Sequence, residues 1–270
     1  MHATIKTTIF IVTQNQDIQM KQLYVANWKM NMSFEQSIDF CRNNLEQLHT
    51  LTSEAEIILC PSFVVLAPIM EILKNTAIAV GAQNCSQYET GSYTGEVSAQ
   101  SLTEIGVKYC IIGHSERRIH FGETTETLLQ KINFLRQDHI KPIICIGETK
   151  DHFINKATLT VLTEQLKPII ENIQKQKHNH LIIAYEPIWS IGTGIIPENT
   201  YLQEVLSWLT KLLQQELPDC TFQLLYGGSV NPTNIHQLKT IPNINGFLVG
   251  KASTDFEGFS KIIKIVPQFN

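Results

Sequence analysis

Leu181-Ile182-Ile183-Ala184-Tyr185-Glu186-Pro187-Ile188-Trp189-Ser190-Ile191-Gly192-Thr193-Gly194 is the stretch from which the fold is read. Its first five residues are apolar without a polar alternate, the pattern of a strand covered on both faces in a parallel sheet. The residue before a proline is held extended, so Glu186 continues the strand and stands at its end. Gly192 and Gly194 allow positive φ and close approach of the backbone to an anion. A buried strand thus delivers one carboxylate to a loop able to fold over it. By itself the segment also reads as a solvent-facing glutamate beside an ordinary glycine turn.

Seven other runs have the same character, so the full set is 23–27, 57–60, 78–82, 109–113, 142–147, 181–186, 222–227 and 246–250. Helical periodicity fills the gaps. Ser33 and Gln36 form a capping box ahead of Phe34, Ile38, Cys41, Leu45 and Leu48 on one face. Leu159, Leu162, Leu166, Ile169, Ile170 and Ile173 repeat the pattern, as do Leu202, Val205, Leu206, Leu209, Leu212 and Leu213. Asn231-Pro232 reads as an N-cap with proline at the first helical position. Eight strands alternating with helices give a closed barrel or a doubly wound sheet. The strand count and the length of 270 residues favour a single-domain α/β fold, the (β/α)8 barrel. The first strand lacks the Gly-x-Gly-x-x-Gly turn of a dinucleotide-binding sheet.

The formal net charge of -4 offers no basic footprint for nucleic acid, and no apolar run reaches membrane-spanning length. Attraction for an anionic ligand must therefore come from local groups. Cys41, Cys60, Cys85, Cys110, Cys145 and Cys220 are widely spaced, with no zinc or redox motif. Cys60, Cys110 and Cys145 lie in apolar runs and read as buried small hydrophobes in a reducing, intracellular compartment.

In a barrel of this type chemistry collects where strands end and βα loops begin. The first strand ends in Asn27-Trp28-Lys29-Met30-Asn31, the fourth in Gly113-His114-Ser115-Glu116-Arg117-Arg118, the sixth in Glu186, the seventh in Tyr226-Gly227-Gly228-Ser229-Val230 and the eighth in Gly250-Lys251. Singly, Lys29 reads as a solvated lysine, His114 as a structural histidine and Glu116 as half of a surface ion pair. Together they put a cation, an imidazole, a carboxylate and two glycine-rich loops on one rim. A carboxylate base can remove a proton next to a carbonyl that an imidazole and an ammonium polarise. Glycine-rich loops suit a phosphate. The chemistry is proton transfer within a phosphorylated hydroxycarbonyl compound, without metal or organic cofactor. A Schiff-base aldolase fits less well, because no lysine ends the fifth, sixth or seventh strand.

These segments, with Tyr185-Glu186-Pro187-Ile188-Trp189 and Gly192-Thr193-Gly194, closely resemble the signatures of the triosephosphate isomerase family, in that family's order, from residue 23 to about 265. The resemblance implies the TIM barrel and interconversion of dihydroxyacetone phosphate and D-glyceraldehyde 3-phosphate, a step of glycolysis and gluconeogenesis. It also implies no cofactor, a cytoplasmic location, and a homodimer that engages neither nucleic acid nor membrane. By motif, Glu186 is the base, His114 the neutral electrophile, and Asn27 and Lys29 substrate-binding groups. These roles and a closing lid, here 187–197, are established features of that family. Glu116 resembles a supporting carboxylate near the lysine. Gly192, Ser229, Gly250 and Lys251 would offer backbone N–H groups to the phosphate. The segment from Gly91 to Glu96 resembles the interdigitating dimer loop, with Thr94 approaching the partner's active site. Two departures stand out. The family usually carries two glycines where this chain has Gly250-Lys251, and many relatives carry a lysine and an alanine where this lid has Ile195-Ile196.

Two rivals remain open on sequence alone: another phosphate-binding barrel isomerase acting on a sugar or indole precursor, and a barrel kept as a binding protein. Residues 1–19 read as a loose N-terminal extension ahead of a catalytic domain over 20–270, with a short extra strand over 7–13 as the competing reading. Ile9-Phe10-Ile11-Val12 is too short for a signal-peptide core, and Met20 stands as an alternative start. A protein beginning at Met20 is expected to match the full chain in turnover and melting temperature. A clearly lower melting temperature after truncation would support the packed strand instead.

Overall fold

The computed structural model describes residues 21–265; the expected extension and the candidate strand over 7–13 lie outside them. The strands are Gln22–Asn27 (β1), Ala55–Cys60 (β2), Ala79–Ala82 (β3), Tyr109–Ile112 (β4), Lys141–Ile146 (β5), His180–Tyr185 (β6), Thr221–Tyr226 (β7) and Gly246–Val249 (β8). The helices are Phe34–Asn43 (α1), Leu45–Leu51 (α2), Leu66–Leu73 (α3), Ala99–Glu104 (α4), Ser115–His120 (α5), Thr125–Gln137 (α6), Lys150–Ile154 (α7), Thr158–Gln176 (α8), Asn199–Glu216 (α9), Ile235–Leu238 (α10) and Phe256–Lys264 (α11). The strands pair in parallel in sequence order and close as β8 meets β1. This is the expected (β/α)8 barrel. Each apolar run became a strand, with ends moved by one or two residues. Gly113, Gly147, Glu186, Gly227 and Gly250 fall just beyond the strands, where the chain leaves the ladder for the βα loops.

Alternation along each strand divides the core. Leu23, Val25, Ile58, Ile143, Ile182 and Leu225 belong to a cluster inside the barrel. Tyr24, Leu59, Ile144, Ile183 and Leu224 face outward onto the helices and join the larger cluster. Both strand faces are buried, which is why the runs carry no polar alternate. Cys60, Cys110 and Cys145 are buried free thiols, and burial raises the Cys60 pKa.

The capping box forms as expected: Ser33 Oγ accepts from the Gln36 N–H at 3.2 Å and the Gln36 side chain accepts from the Ser33 N–H at 2.9 Å. Two local expectations need correction. Phe34 is 53% exposed, because it opens α1 before the helix reaches the barrel surface, and Asn44 separates the expected single helix into α1 and α2. Asn231 caps as expected: its side chain accepts from the N–H groups of Thr233 (2.9 Å) and Asn234 (3.1 Å), and its carbonyl accepts from the Ile235 N–H at 3.1 Å. Pro232 opens the turn that runs into α10 at Ile235. Among the described residues no helix is long and apolar enough to cross a membrane.

Barrel closure depends on Gly246, which lies opposite Leu23 in the β1–β8 register. A Cβ there would collide with the Leu23 backbone, which cannot swing away as a side chain would. Gly246→Ala is therefore expected to destabilise by about 3 kcal/mol or more, the upper range for overpacking. Urea unfolding measures it; a loss below about 1 kcal/mol would show that the seam accommodates the methyl group.

Candidate active site

The C-terminal ends of the strands enclose a cavity of about 560 Å3. Asn27, Lys29, His114, Glu116, Glu186 and Gly192 line it, joined by Ser229, Gly250 and Lys251. Of the expected site residues only Thr94 is absent. It lines a separate cleft with Tyr93, Arg117 and Phe121.

Glu186 is 2% exposed. Its backbone N–H donates to the Ile146 carbonyl at 2.7 Å, continuing the β5–β6 ladder one residue past the strand. Its carboxylate Oε2 accepts from the Ser115 N–H at 3.1 Å, and Oε1 lies 3.1 Å from His114 Nε2. The latter contact lacks hydrogen-bond geometry, so Oε1 is a buried oxygen without a hydrogen-bond donor. Burial raises the Glu186 pKa, but the adjacent His114 and the Ser115 N–H outweigh it and hold the group low. The carboxylate is ionised, poorly solvated and has one unclaimed oxygen, the condition of an effective base. Gly227 leaves it room, since a Cβ there would press on the Glu186 Cγ at 2.9 Å.

His114 caps α5, where its Nδ1 accepts the Glu116 N–H at 3.2 Å. Burial lowers its pKa, Glu186 raises it, and the net displacement is upward. The hydrogen bond accepted at Nδ1 favours the neutral imidazole with its single N–H at Nε2, facing Glu186 and the cavity, and so opposes the charged form that Glu186 favours.

Lys29 has φ of 50°, a left-handed conformation costly for a residue with a side chain. Its N–H donates to Asn27 Oδ1 at 3.2 Å, and its carbonyl accepts from Gln83 Nε2 at 2.9 Å. The strain aims the ammonium into the cavity, where it meets Glu116 Oε1 at 2.7 Å. On the opposite wall, no loop hydrogen bond among the described residues uses the backbone N–H of Gly192, Ser229 or Lys251.

Two buried carboxylates escaped the sequence reading. Glu123 accepts from the Gly113 N–H at 2.6 Å, Arg117 Nε at 2.8 Å and Lys131 Nζ at 2.7 Å, fixing the turn that presents His114. Glu148 is fully buried and accepts from Trp189 Nε1 at 2.7 Å, the Tyr201 hydroxyl at 3.0 Å and the Tyr185 hydroxyl at 3.1 Å. It anchors the first turn of the 187–197 loop. Only its position, directly after the fifth apolar run, could have singled it out. Ser190 Oγ in the loop and the Tyr226 hydroxyl below it are both buried and crowd the same space beside Gly228.

Glu123→Gln strands the buried Lys131 ammonium and should cost about 3–5 kcal/mol. The Glu123 pKa is lowered: burial raises it, and Lys131, the Gly113 N–H and Arg117 together outweigh that. A depressed folded pKa contributes stability above the unfolded value that fades as pH falls through the folded one. The gap between wild type and Glu123→Gln should therefore narrow in acid, as urea unfolding across a pH series would read. A gap unchanged from neutral pH down to about pH 3 would remove Glu123 from that role.

Comparison with known proteins agrees with this geometry. The family model described as triosephosphate isomerase matches residues 22–266. Triosephosphate isomerase of Nostoc sp. is 39% identical over 245 residues, spanning 90% of this chain and 99% of the relative. That of Picosynechococcus sp. is 37% identical over 248 residues, 92% of this chain and 100% of the relative. The crystal structure of triosephosphate isomerase from Bartonella henselae superposes with a TM-score of 0.77 at 31% identity, covering 90% of this chain and 98% of that one. With the barrel, the rim and the motifs in one order, the chain belongs to the triosephosphate isomerase family.

Proposed function

We propose that this isomerase interconverts dihydroxyacetone phosphate and D-glyceraldehyde 3-phosphate through an enediolate, with Glu186 carrying the proton between carbons. The phosphate lies against the N–H groups of Gly192, Ser229, Gly250 and Lys251. The ketone oxygen faces His114 Nε2 and the Lys29 ammonium, with Asn27 beside them. Glu186 takes a proton from C1, and the electron pair of that C–H bond becomes the C1–C2 double bond. Negative charge gathers on the C2 oxygen, where the His114 N–H and Lys29 stabilise it. A proton passes between the two oxygens by way of His114, and the Glu186 carboxylic acid returns its proton to C2. The product is the aldehyde. Lys251 keeps the backbone donor of the glycine it replaces, and its exposed ammonium adds about 0–1 kcal/mol.

The loop over 187–197 acts as the lid. Its root is tied to Glu148. Closure excludes water and strengthens every charge interaction inside.

The observation that carries this reading is the convergence of the Glu186 carboxylate and His114 Nε2, 3.1 Å apart, on the cavity that also holds Lys29. A coupled assay of triose-phosphate turnover tests it. Glu186→Asp withdraws the carboxylate by one methylene and should cost on the order of 100-fold in turnover with the fold intact. Near-normal turnover would reject Glu186 as the base.

The active form is a homodimer, on the support of an apolar sector of the rim. Met30, Val64, Tyr93 and Phe121 are 97%, 73%, 42% and 67% exposed. They lie on the loops after β1, β2, β3 and β4, four neighbouring strands, which places exposed apolar groups on one sector of the rim, and Tyr93 and Phe121 share one cleft. The Tyr88 and Tyr93 rings stack at 3.7 Å and stiffen the loop that carries Thr94. The partner buries Tyr93 and Thr94, and Thr94 approaches the partner's active site. Six free thiols support a reducing, cytoplasmic setting. Sedimentation should give a dimer at micromolar concentration. A fully active monomer would overturn this assembly.

A further inference from the structure

We propose that the pocket between the starts of β5 and β6, on the face of the barrel opposite the candidate active site, binds a small phosphate ester or similar compact dianion. The pocket has a volume of about 400 Å3. Arg136, His139, Lys141, His178 and His180 line it, with no acidic residue among its walls. This is a local concentration of basic groups on a chain whose net charge is -4. Ile140, Pro142 and Ile182 supply an apolar wall, which suits a phosphate carried on a compact organic body.

Arg136 makes the strongest case. Its Nη2 donates to the His180 carbonyl at 2.5 Å. Its Nε is buried and has no hydrogen-bond partner among the described residues. Nε has lost water without gaining an acceptor, which costs free energy and holds the guanidinium under strain. Nη1 makes no hydrogen bond among the described residues and is not among the buried atoms, so it is the N–H that a ligand in the pocket meets. Arginine N–H groups match the oxygens of a phosphate.

Basic groups also gather at helix C-termini to balance the helix dipole, and α6 and α8 both end here. That role does not use these side chains. No hydrogen bond among the described residues ties the His139 or His178 imidazole to a terminal helix carbonyl. Arg136 reaches a strand carbonyl, and His180 Nδ1 lies 3.0 Å from Thr221 Oγ1. Lys141 lies over the Tyr109 ring, 5.3 Å from its centroid. The three imidazoles do not form a metal site, since no group of three or more metal-ligating side chains occurs among the described residues.

The groups facing the histidines set the sign of the pH dependence. Burial and then Arg136 lower the His178 pKa. Burial, Lys141 and Arg136 lower that of His180, with Glu56 opposing. Glu56 itself takes a hydrogen bond from the Tyr109 hydroxyl, Cys220 lies by Arg136, and Asp138 sits beside His139. Both imidazoles are thus neutral near neutral pH, held so in part by adjacent cations. An anion seated among them reverses that bias, so binding takes up protons and tightens as pH falls.

The test follows the imidazole resonances of His178 and His180 by NMR in the full-length protein, assigned with His178→Gln and His180→Gln. Sodium sulfate is titrated against sodium chloride at equal ionic strength. Sulfate remains a dianion throughout, so pH dependence belongs to the protein, and the local resonances separate this pocket from anion binding at the active site. Saturable shifts with sulfate and not chloride are expected, tightening by up to about tenfold per pH unit between about pH 8 and about pH 6 for each proton taken up. Arg136→Gln should abolish them. Because Arg136 also ties down β6, Lys141→Gln and His178→Gln at the pocket mouth provide the second arm. Each should weaken binding several-fold while leaving triose-phosphate turnover unchanged. Shifts that fail to saturate, that chloride reproduces, or that persist undiminished in both mouth variants would overturn the proposal.

Discussion

Closure of the β1–β8 seam is the constraint on which the other features rest. An open parallel sheet would leave two unpaired edges, and its strand ends would diverge with the twist. Joining Leu23 to Gly246 removes both edges and turns eight C-terminal strand ends into a ring. Lys29, His114, Glu186 and Lys251 come from four elements far apart in sequence. They share one cavity only because their strands belong to one closed register. A glycine at the seam is the local requirement of that global geometry, since backbone passes where a Cβ would stand.

Buried ionisable groups sort into two kinds. Glu123 and Glu148 are saturated with donors; their role is positional, one at the turn before His114 and the other at the root of the lid. Glu186 is buried as deeply but keeps one oxygen without a donor. The contrast distinguishes a carboxylate that holds structure from one able to take a proton. Desolvation makes each unmade hydrogen bond costly, so a protein tolerates one where a ligand will complete it.

Strain is distributed in the same way. Lys29 adopts a left-handed backbone at the mouth of the cavity, pinned by Asn27, Gln83 and Glu116 through side-chain contacts. Removing any one pin would relax the lysine away from the cavity. The rigid barrel beneath absorbs this local cost.

The sequence by itself determined the eight strands, the barrel and the order of the polar groups on its rim. The physical reason is that two-sided burial demands unbroken apolar runs, and the βα rule sends chemistry to their ends. Ser33 with Gln36 was legible too, because a capping box is a local interaction between residues three apart. What depended on distant partners was not legible. Phe34 has the right period for a buried face and yet is exposed, since the barrel surface does not extend to the first turn of α1. Glu148 reads as an ordinary polar residue, because its donors are supplied from as far as 53 residues away. The donors of Glu123 lie within ten residues, but only the folded turn between α5 and α6 brings them together. The basic pocket of Arg136, Lys141 and His180 is likewise invisible in the chain, where these residues belong to separate elements. Only the closed register of β5 beside β6 decided that they face one another.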